Sequence, residues 1–141
     1  YAWDHHWGIF PHLDIQLPIY DRSYSALLED LDQRGMLEST LVITAGEFGR
    51  TPRINDNKRG PGRDHWGRCF SLTMGGGGIK TGEVLGSSDK YAATPESRPV
   101  SVPDFVATVY HALGLDPSIE IESQGRPVKM LPEGNPIREL M

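Results

Sequence analysis

The chain has 141 residues, of which 38% are hydrophobic and 23% charged, and its formal net charge is −5. This composition is that of one globular domain, and no apolar run approaches the ~20 residues needed to cross a bilayer. The negative charge argues against nucleic acid as the main partner, because such binding depends on Lys and Arg neutralising phosphates. The single cysteine, Cys69, excludes an internal disulfide and a CxxC zinc site.

The first motif in the chain, YAWDHHWG, offers Asp4, His5 and His6. In an extended chain Asp4 and His6 lie on one side and His5 on the other, so we favour His6 over His5 as a partner of Asp4. Carboxylates and imidazoles suit zinc, manganese or iron, and the absence of thiolates favours an open catalytic site. A single Asp-His pair is more often a surface or hydrogen-bonded pair than a ligand set. Because the chain begins inside this motif, we expect it to be a piece of a longer protein.

A helix is predicted from Pro18 to Arg34, with Pro18 in its first turn and Gly35 as its C-terminal cap. The prediction depends on apolar side chains that fall on one helical face, which are Tyr20, Tyr24, Leu27, Leu28 and Leu31.

Two apolar runs, TLVITA at 40–45 and CFSLTM at 69–74, predict strands. Neither run alternates with polar residues, which is typical of parallel strands covered on both faces. Cys69 is therefore interpreted as a buried strand residue and not as a nucleophile. The glycine-rich segment 75–88 predicts a loop dense in turns, with a short strand at 83–86.

The second helix is predicted over 101–114, with Pro103 at its start, Asp104 in the first turn and Gly114 as its stop. No element is predicted after Pro117. Helices and buried strands in this order favour an α/β layered fold with a mostly parallel sheet. In such sheets ligands gather outside the carboxyl ends of the strands.

Two further motifs place polar side chains at predicted strand ends. Glu47 follows the first strand in GEFGRTP, and Asp64 and His65 precede the second in GRDHW. Together with Asp4 and His6 they predict a shared metal site. A basic stretch at 55–63, NDNKRGPGR, is either a solvated loop or a loop that meets an anionic substrate.

These motifs resemble those of a known enzyme superfamily and of one bacterial family. TLVITAGEFG resembles the strand-and-loop motif of the sulfatase and alkaline-phosphatase superfamily. The Trp-Asp-x-His start, GEFGRTP, GRDHW and the C-terminal PIREL together resemble, over essentially the whole chain, the bacterial family labelled domain of unknown function 1501, which is abundant in planctomycetes. The resemblance implies a three-layer α/β sandwich with a mostly parallel sheet. Residues 1–141 would then be a single domain fragment, the C-terminal portion of that sandwich.

The resemblance also implies metal-assisted hydrolysis of phosphate or sulfate esters of small molecules or glycans. The metal would be divalent zinc, manganese or calcium, and Arg50 would either grip a substrate oxyanion or form a structural salt bridge. The implied ligands are Asp4, His6 and His65 for one metal, Glu47 for a second or shared metal, and Asp64 as a ligand or as the group that orients His65.

The chain departs from the superfamily at two positions, because Glu47 stands where Asp is usual and Phe48 where His or Asn is usual. Phenylalanine cannot bind a metal, and we expect its ring to turn towards the core. No residue matches the family nucleophile, which we expect upstream of Tyr1, and the resemblance implies export from the cell. The alternative is a non-catalytic secreted binding or assembly module. Uncovered sheet edges predict self-association of the fragment.

Overall fold

The structure, a computed structural model, describes residues 3–141, so Tyr1 and Ala2 of the first motif lie outside the described residues. The described chain forms two α-helices, eight short strands and two single turns of 3₁₀-helix. In chain order these are α1 (Ile9–Gln33), a 3₁₀ turn (Leu37–Ser39), β1 (Val42–Ala45), β2 (Gly49–Arg50), β3 (His65–Trp66), β4 (Leu72–Gly75), β5 (Ser87–Ser88), β6 (Pro95–Ser97), α2 (Val102–Ala112), β7 (Glu120–Ser123), β8 (Arg126–Lys129) and a second 3₁₀ turn (Arg138–Leu140).

The predicted three-layer sandwich with a mostly parallel sheet is wrong. The strands form four separate two-stranded sheets, β1 with β4, β2 with β3, β5 with β6 and β7 with β8, and all four pairs are antiparallel. The two apolar runs do pair with each other, in a register that sets Val42 opposite Gly75 and Ala45 opposite Leu72. The error therefore concerns the direction and number of strands and not the presence of these two.

The antiparallel pairing has a physical cause in the connection between the two runs. Parallel neighbours need a crossover of a dozen or more residues, usually a helix. Residues 46–71 contain only the two-residue strands β2 and β3 and otherwise irregular chain. No crossover helix lies between the two strands, and they run antiparallel. Apolar composition alone indicated a covered strand, but it carries no information about the direction of the partner.

Helix α1 begins nine residues before the predicted start at Pro18, which lies inside the helix. A proline within a helix leaves the carbonyl four residues earlier without its usual donor, so the prediction placed a helix start there. The earlier turns are helical because they continue the apolar stripe towards the first motif. Ile9 is only 8% exposed, and the Tyr20 ring meets the Trp3 ring edge-on at 5.9 Å between centroids.

The C-terminal half of α1 lies beside the β1–β4 pair. The Tyr24 hydroxyl is 3.3 Å from Thr73 Oγ1, and the position of a Cβ at Gly75 is 3.9 Å from Leu28 Cδ2. The carbonyl of Leu37, in the turn after the helix, accepts a hydrogen bond from the Gly77 amide at 2.8 Å. These contacts join α1 to β4, and they join the turn after α1 to the glycine turn after β4.

The prediction of α2 is confirmed. Ser101 caps the helix by accepting a hydrogen bond from the Asp104 amide at 3.1 Å, and Gly114 follows the helix with a φ of 69°. Thr108 is fully buried on this helix, where its hydroxyl donates to the Asp104 carbonyl and accepts from the Ile137 amide at 2.9 Å. The helix therefore anchors the C-terminal tail.

Three smaller predictions are wrong. The tail contains the hairpin of β7 and β8, although no element was predicted after Pro117. The short strand expected at 83–86 is found instead at Ser87–Ser88. Cys69 is partly exposed and precedes β4, which starts at Leu72. Strand prediction relies on an apolar pattern that marks a buried face. Neither face of this hairpin is buried, so its sequence lacks that pattern.

Little of the described chain is deeply buried. The buried hydrophobic residues are Ile9, Ile79, Ala107 and Ile137, while twenty large hydrophobic side chains are more than a third exposed. Neither described helix has both the length and the apolar composition that crossing a membrane requires.

Candidate metal centre

The first motif and the GRDHW motif lie side by side although about 60 residues separate them. Strand β3 pairs with β2 so that His65 stands opposite Arg50. The Arg63 amide donates to the His5 carbonyl at 3.1 Å, and the Ile9 amide donates to the Pro61 carbonyl at 2.9 Å. Backbone hydrogen bonds therefore hold the segment around Asp4 against the loop that leads into β3.

Gly62 allows this contact. A Cβ at this position would overlap the backbone of His6 and the amide of Trp7, so only glycine lets the two backbones come so close. Its φ lies in the ordinary range, so the requirement is for space and not for backbone freedom. The glycine at position 62 of the GPGR sequence is thus required for the close packing of the two segments.

Three ligand atoms converge where the two segments meet. Asp4 Oδ1 lies 2.9 Å from His65 Nε2 and 3.2 Å from His6 Nε2, and the two Nε2 atoms are 3.2 Å apart. Among the residues described, this is the group of three or more His, Cys, Asp or Glu side chains with the spacing of a metal site. A tetrahedral zinc ion with bonds of about 2.0–2.1 Å needs ligand atoms about 3.3–3.4 Å apart. The triangle is only slightly tighter than one face of that tetrahedron.

Asp64 orients His6. Its Oδ1 lies 2.6 Å from His6 Nδ1, on the side of the ring opposite the triangle. This hydrogen bond, followed by one from Asn55, lowers the pKa of Asp64, so Asp64 is a carboxylate at neutral pH. A neutral His6 that donates from Nδ1 presents the lone pair of Nε2 to the triangle. A carboxylate that fixes the tautomer in this way is the usual support of a metal-binding histidine. The sequence predicted Asp64 as a ligand or as the group that orients His65, whereas its contact is with His6.

Arg50 is paired with Asp4. Its Nη2 donates to Asp4 Oδ1 at 2.6 Å, and its guanidinium also donates to the carbonyls of Trp3 and Arg63. Hydrogen bonds from His65 and then from Arg50 lower the pKa of Asp4 to about 2. Arg50 thereby bridges the two segments, and Asp4 carries its negative charge throughout the physiological range.

His5 lies away from the triangle. It is 6% exposed, and its ring stacks on that of His12 in α1, with centroids 4.9 Å apart and planes 15° apart. Burial is the main cause that lowers the pKa of His5, so it is neutral at physiological pH. The ring therefore packs the first motif against α1.

Glu47 and Phe48 differ in their distance from the site. Glu47 is exposed and is not a member of the converging group. The Phe48 ring lies over the His65 ring with centroids 4.1 Å apart, and Arg50 lies 5.9 Å from the Phe48 centroid. Phe48 therefore forms one wall of the site and is half-buried there, where we expected it to face the core.

Two residues that support the site were not singled out from the sequence. The Asn55 side chain contacts His6 and Asp64, and the Thr51 hydroxyl accepts a hydrogen bond from the Asp64 amide at 3.1 Å. The signal available was an asparagine at the start of a loop rich in Asn, Asp and Gly, where such side chains bond to nearby backbone. That signal predicts a turn but not a contact with a histidine 49 residues away.

The sequence profile of the family described as "Protein of unknown function (DUF1501)" matches residues 1–141, and the chain therefore belongs to this family. No curated protein and no solved structure matches the chain.

Proposed function

We propose that this DUF1501 protein binds a divalent metal ion through Asp4, His6 and His65 and uses it to hydrolyse phosphate or sulfate esters. The observation that carries the proposal is the triangle of one carboxylate oxygen and two imidazole nitrogens with sides of 2.9–3.2 Å. Two segments about 60 residues apart supply these atoms. A fourth residue, Asp64, accepts a hydrogen bond from Nδ1 of His6, on the side of the ring opposite the triangle.

The donor set favours a transition metal of the zinc type over calcium. Two of the three donors are imidazole nitrogens, which suit zinc, whereas calcium takes six to eight oxygen ligands. Three protein ligands leave a fourth position for water or substrate, as in catalytic zinc sites. Asp4 and His65 are about half exposed, so a small ester can reach that position.

A bound ion would neutralise ester oxygens and lower the pKa of a hydroxyl or water. The chain's own residues would prepare the site for this. Arg50 donates to the Asp4 carboxylate, and Asp64 holds His6 through Nδ1, so that His6 Nε2 faces the triangle. His65 Nε2 bonds to Asp4 and to His6 Nε2, and it would give up its proton to bind the ion. Phe48 shields one face of His65 from water. The substrate-anion role of Arg50 remains a prediction, since its guanidinium bonds to Asp4 and to two carbonyls.

Glu47 remains a proposed ligand of a second or shared metal. Its carboxylate would have to move towards the triangle, and the exposed loop between β1 and β2 that carries it is the segment that would move. The proposed nucleophile upstream of Tyr1 and the proposed export from the cell likewise rest on the family resemblance.

A second candidate function is a non-catalytic binding or assembly module. It is favoured by the many large apolar side chains that are exposed, among them Trp3 at 50%, Phe10 at 53% and Ile19 at 55%. Where such side chains form a continuous patch, the patch marks an interaction site. Such a module could keep the metal as a structural element, so metal binding alone does not separate the two functions.

Metal binding is tested first, by titrating the apo protein with Zn²⁺ in competition with a chromophoric chelator. We expect His65→Ala and His6→Ala each to weaken binding by at least about 100-fold, because each removes one of three ligands. His111→Ala is the matched control, since His111 is an exposed histidine in the last turn of α2. Equal affinity in all four proteins would refute the site.

Catalysis is tested separately, with aryl phosphate and aryl sulfate esters and the longest version of the protein that can be expressed. Hydrolysis that is lost on chelation, restored by Zn²⁺ or Mn²⁺ and absent in Asp4→Asn supports the enzyme. Tight metal binding without turnover of either ester supports the module.

A further inference from the structure

Asn55 uses both ends of its amide at the junction of the two site segments. Nδ2 donates to the His6 carbonyl at 3.1 Å and lies 3.4 Å from Asp64 Oδ2. Oδ1 accepts from the Gly62 amide at 3.0 Å and from the Asn57 amide at 3.3 Å. The backbone of Asn55 also pairs with Gly62 in an isolated antiparallel bridge. One side chain thus contacts His6, the carboxylate that orients it, and the glycine packed against it.

We propose that Asn55 is a positioning residue of the metal centre, which sets the geometry of the Asp64–His6 pair and so directs His6 Nε2 into the ligand triangle. The inference rests on the proposed metal binding. Asn55 is not a proposed ligand. Its contact with the ligand residues is the hydrogen bond to the His6 carbonyl.

The contacts require an amide at this position. Asp64 has two oxygens, of which Oδ1 takes His6 Nδ1, and the donor on Asn55 faces the other. A carboxylate at position 55 would keep the acceptor for Gly62 but would set two negative charges against each other. An alanine would remove both the amide donor and the amide acceptor. In either variant the Asp64 side chain loses the donor that faces its second oxygen, so the carboxylate is less firmly oriented towards His6 Nδ1.

Asn57 provides a matched control within the same loop. Its side chain accepts a hydrogen bond from the Arg59 amide at 3.0 Å, and its carbonyl accepts from the Gly60 amide. It is exposed, and none of these bonds reaches His6 or Asp64. Asn57→Ala therefore removes a loop-closing side chain of the same type without touching the centre.

The experiment compares wild type with Asn55→Ala, Asn55→Asp and Asn57→Ala. The first readout is Zn²⁺ affinity, measured by chelator competition, together with the visible absorption spectrum of the Co²⁺-loaded proteins. We expect both Asn55 variants to lose at least about tenfold in affinity and to change the Co²⁺ spectrum, as loss of a group behind a ligand does. Asn57→Ala should remain within about twofold of wild type.

The second readout is the tautomer of His6 in the metal-free proteins, from the ¹⁵N chemical shifts of its ring. Wild type and Asn57→Ala should hold the Nδ1–H form, and both Asn55 variants should shift towards a mixture. The two readouts test the two proposals separately. If the wild-type protein fails to bind Zn²⁺, the metal site is refuted, and the tautomer of His6 still shows whether Asn55 orients that ring. Unchanged tautomer and unchanged affinity in Asn55→Asp, the variant of equal size, would overturn the inference.

Discussion

Long-range hydrogen bonds stabilise the segments around the ligand triangle, whereas a local ladder stabilises the β7–β8 hairpin. The first is mostly irregular chain, yet its hydrogen bonds join residues 46 to 61 positions apart, such as Arg50 to Asp4 and His65 to Asp4. The hairpin is regular, with four ladder pairs from Glu120–Lys129 to Ser123–Arg126, but all eight of its residues are exposed.

This difference shows that regular secondary structure and structural constraint are separate properties here. The hairpin is supported by its own ladder and by bonds to its base, such as Met130 N to the Ile119 carbonyl at 2.9 Å. Opening the hairpin breaks only its own ladder and the bonds at its base. Opening the irregular site breaks bonds between distant parts of the sequence, such as those from Arg50 and His65 to Asp4.

The largest effect is expected from Gly62→Ala. The added Cβ would overlap the backbone of His6, so the two site segments must separate. We expect a loss of about 3 kcal/mol in the free energy of unfolding, at the upper end of overpacking costs, and loss of Zn²⁺ binding. Denaturant unfolding and chelator competition measure the two quantities.

Gly67→Ala is the control for that substitution. Gly67 lies two residues after His65, and a Cβ there would meet no atom within 4 Å. We expect a change within about 0.5 kcal/mol, as at other open surface positions. Equal destabilisation by the two substitutions would show that the close backbone approach at Gly62 does not hold the site together.

Hydrogen exchange tests the same comparison without any substitution. The amides of Ile9 and Arg63 close the site, and we expect them to exchange at least about tenfold more slowly than the ladder amides of Ile121 and Val128. The reason is that a local opening of the hairpin breaks only its own ladder, whereas opening the site breaks long-range bonds. Mass spectrometry or NMR measures the rates, and faster exchange at Arg63 than in the hairpin would reverse the comparison.

A smaller effect is expected from Ile121→Ala in the hairpin. Ile121 is 48% exposed, so the free energy of unfolding should fall by less than about 1 kcal/mol. The same substitution at Ile137, which is 4% exposed, should cost about 2–4 kcal/mol because it leaves a cavity. Thermal or denaturant unfolding compares the two variants, and similar losses would mean that the hairpin is covered in solution.

The smallest effect concerns an exposed ion pair between Arg98 and Glu139, with bonds of 2.7 and 3.0 Å. Arg98 lowers the pKa of Glu139 from the usual 4.5 to about 2. The stability that the pair contributes is therefore present above about pH 4.5 and is lost as the pH falls towards 2. In Arg98→Gln the dependence of the unfolding midpoint on pH in this window should become flatter, and an identical profile would show that the pair contributes nothing.

Several parts of the molecule were determined by short stretches of sequence. Helix α2 follows from Ser101, Pro103 and Gly114 with one apolar stripe, because caps and helical periodicity act within a few residues. The strand character of residues 42–45 and 72–74 follows in the same way from local apolar composition. The choice of Asp4 and His6 as site residues needed only the alternation of an extended chain.

Other parts depended on contacts between distant segments. The antiparallel direction of β1 and β4 was decided by the route of the 26 residues between them, which an apolar run does not encode. The start of α1 at Ile9 was decided by packing against the first motif, which outweighed the signal from Pro18.

For the candidate site, too, some features were predicted from the sequence and others required the tertiary structure. The sequence by itself named Asp4, His6, Asp64 and His65, because their chemical types are visible in single motifs. Only the tertiary structure decided that Asp64 faces His6, that Arg50 bonds to Asp4, and that Asn55 joins both segments, while Glu47 stays exposed. The physical reason is that residue type is a local property, whereas a hydrogen bond across 46 to 61 residues exists only after Gly62 has let the two backbones meet.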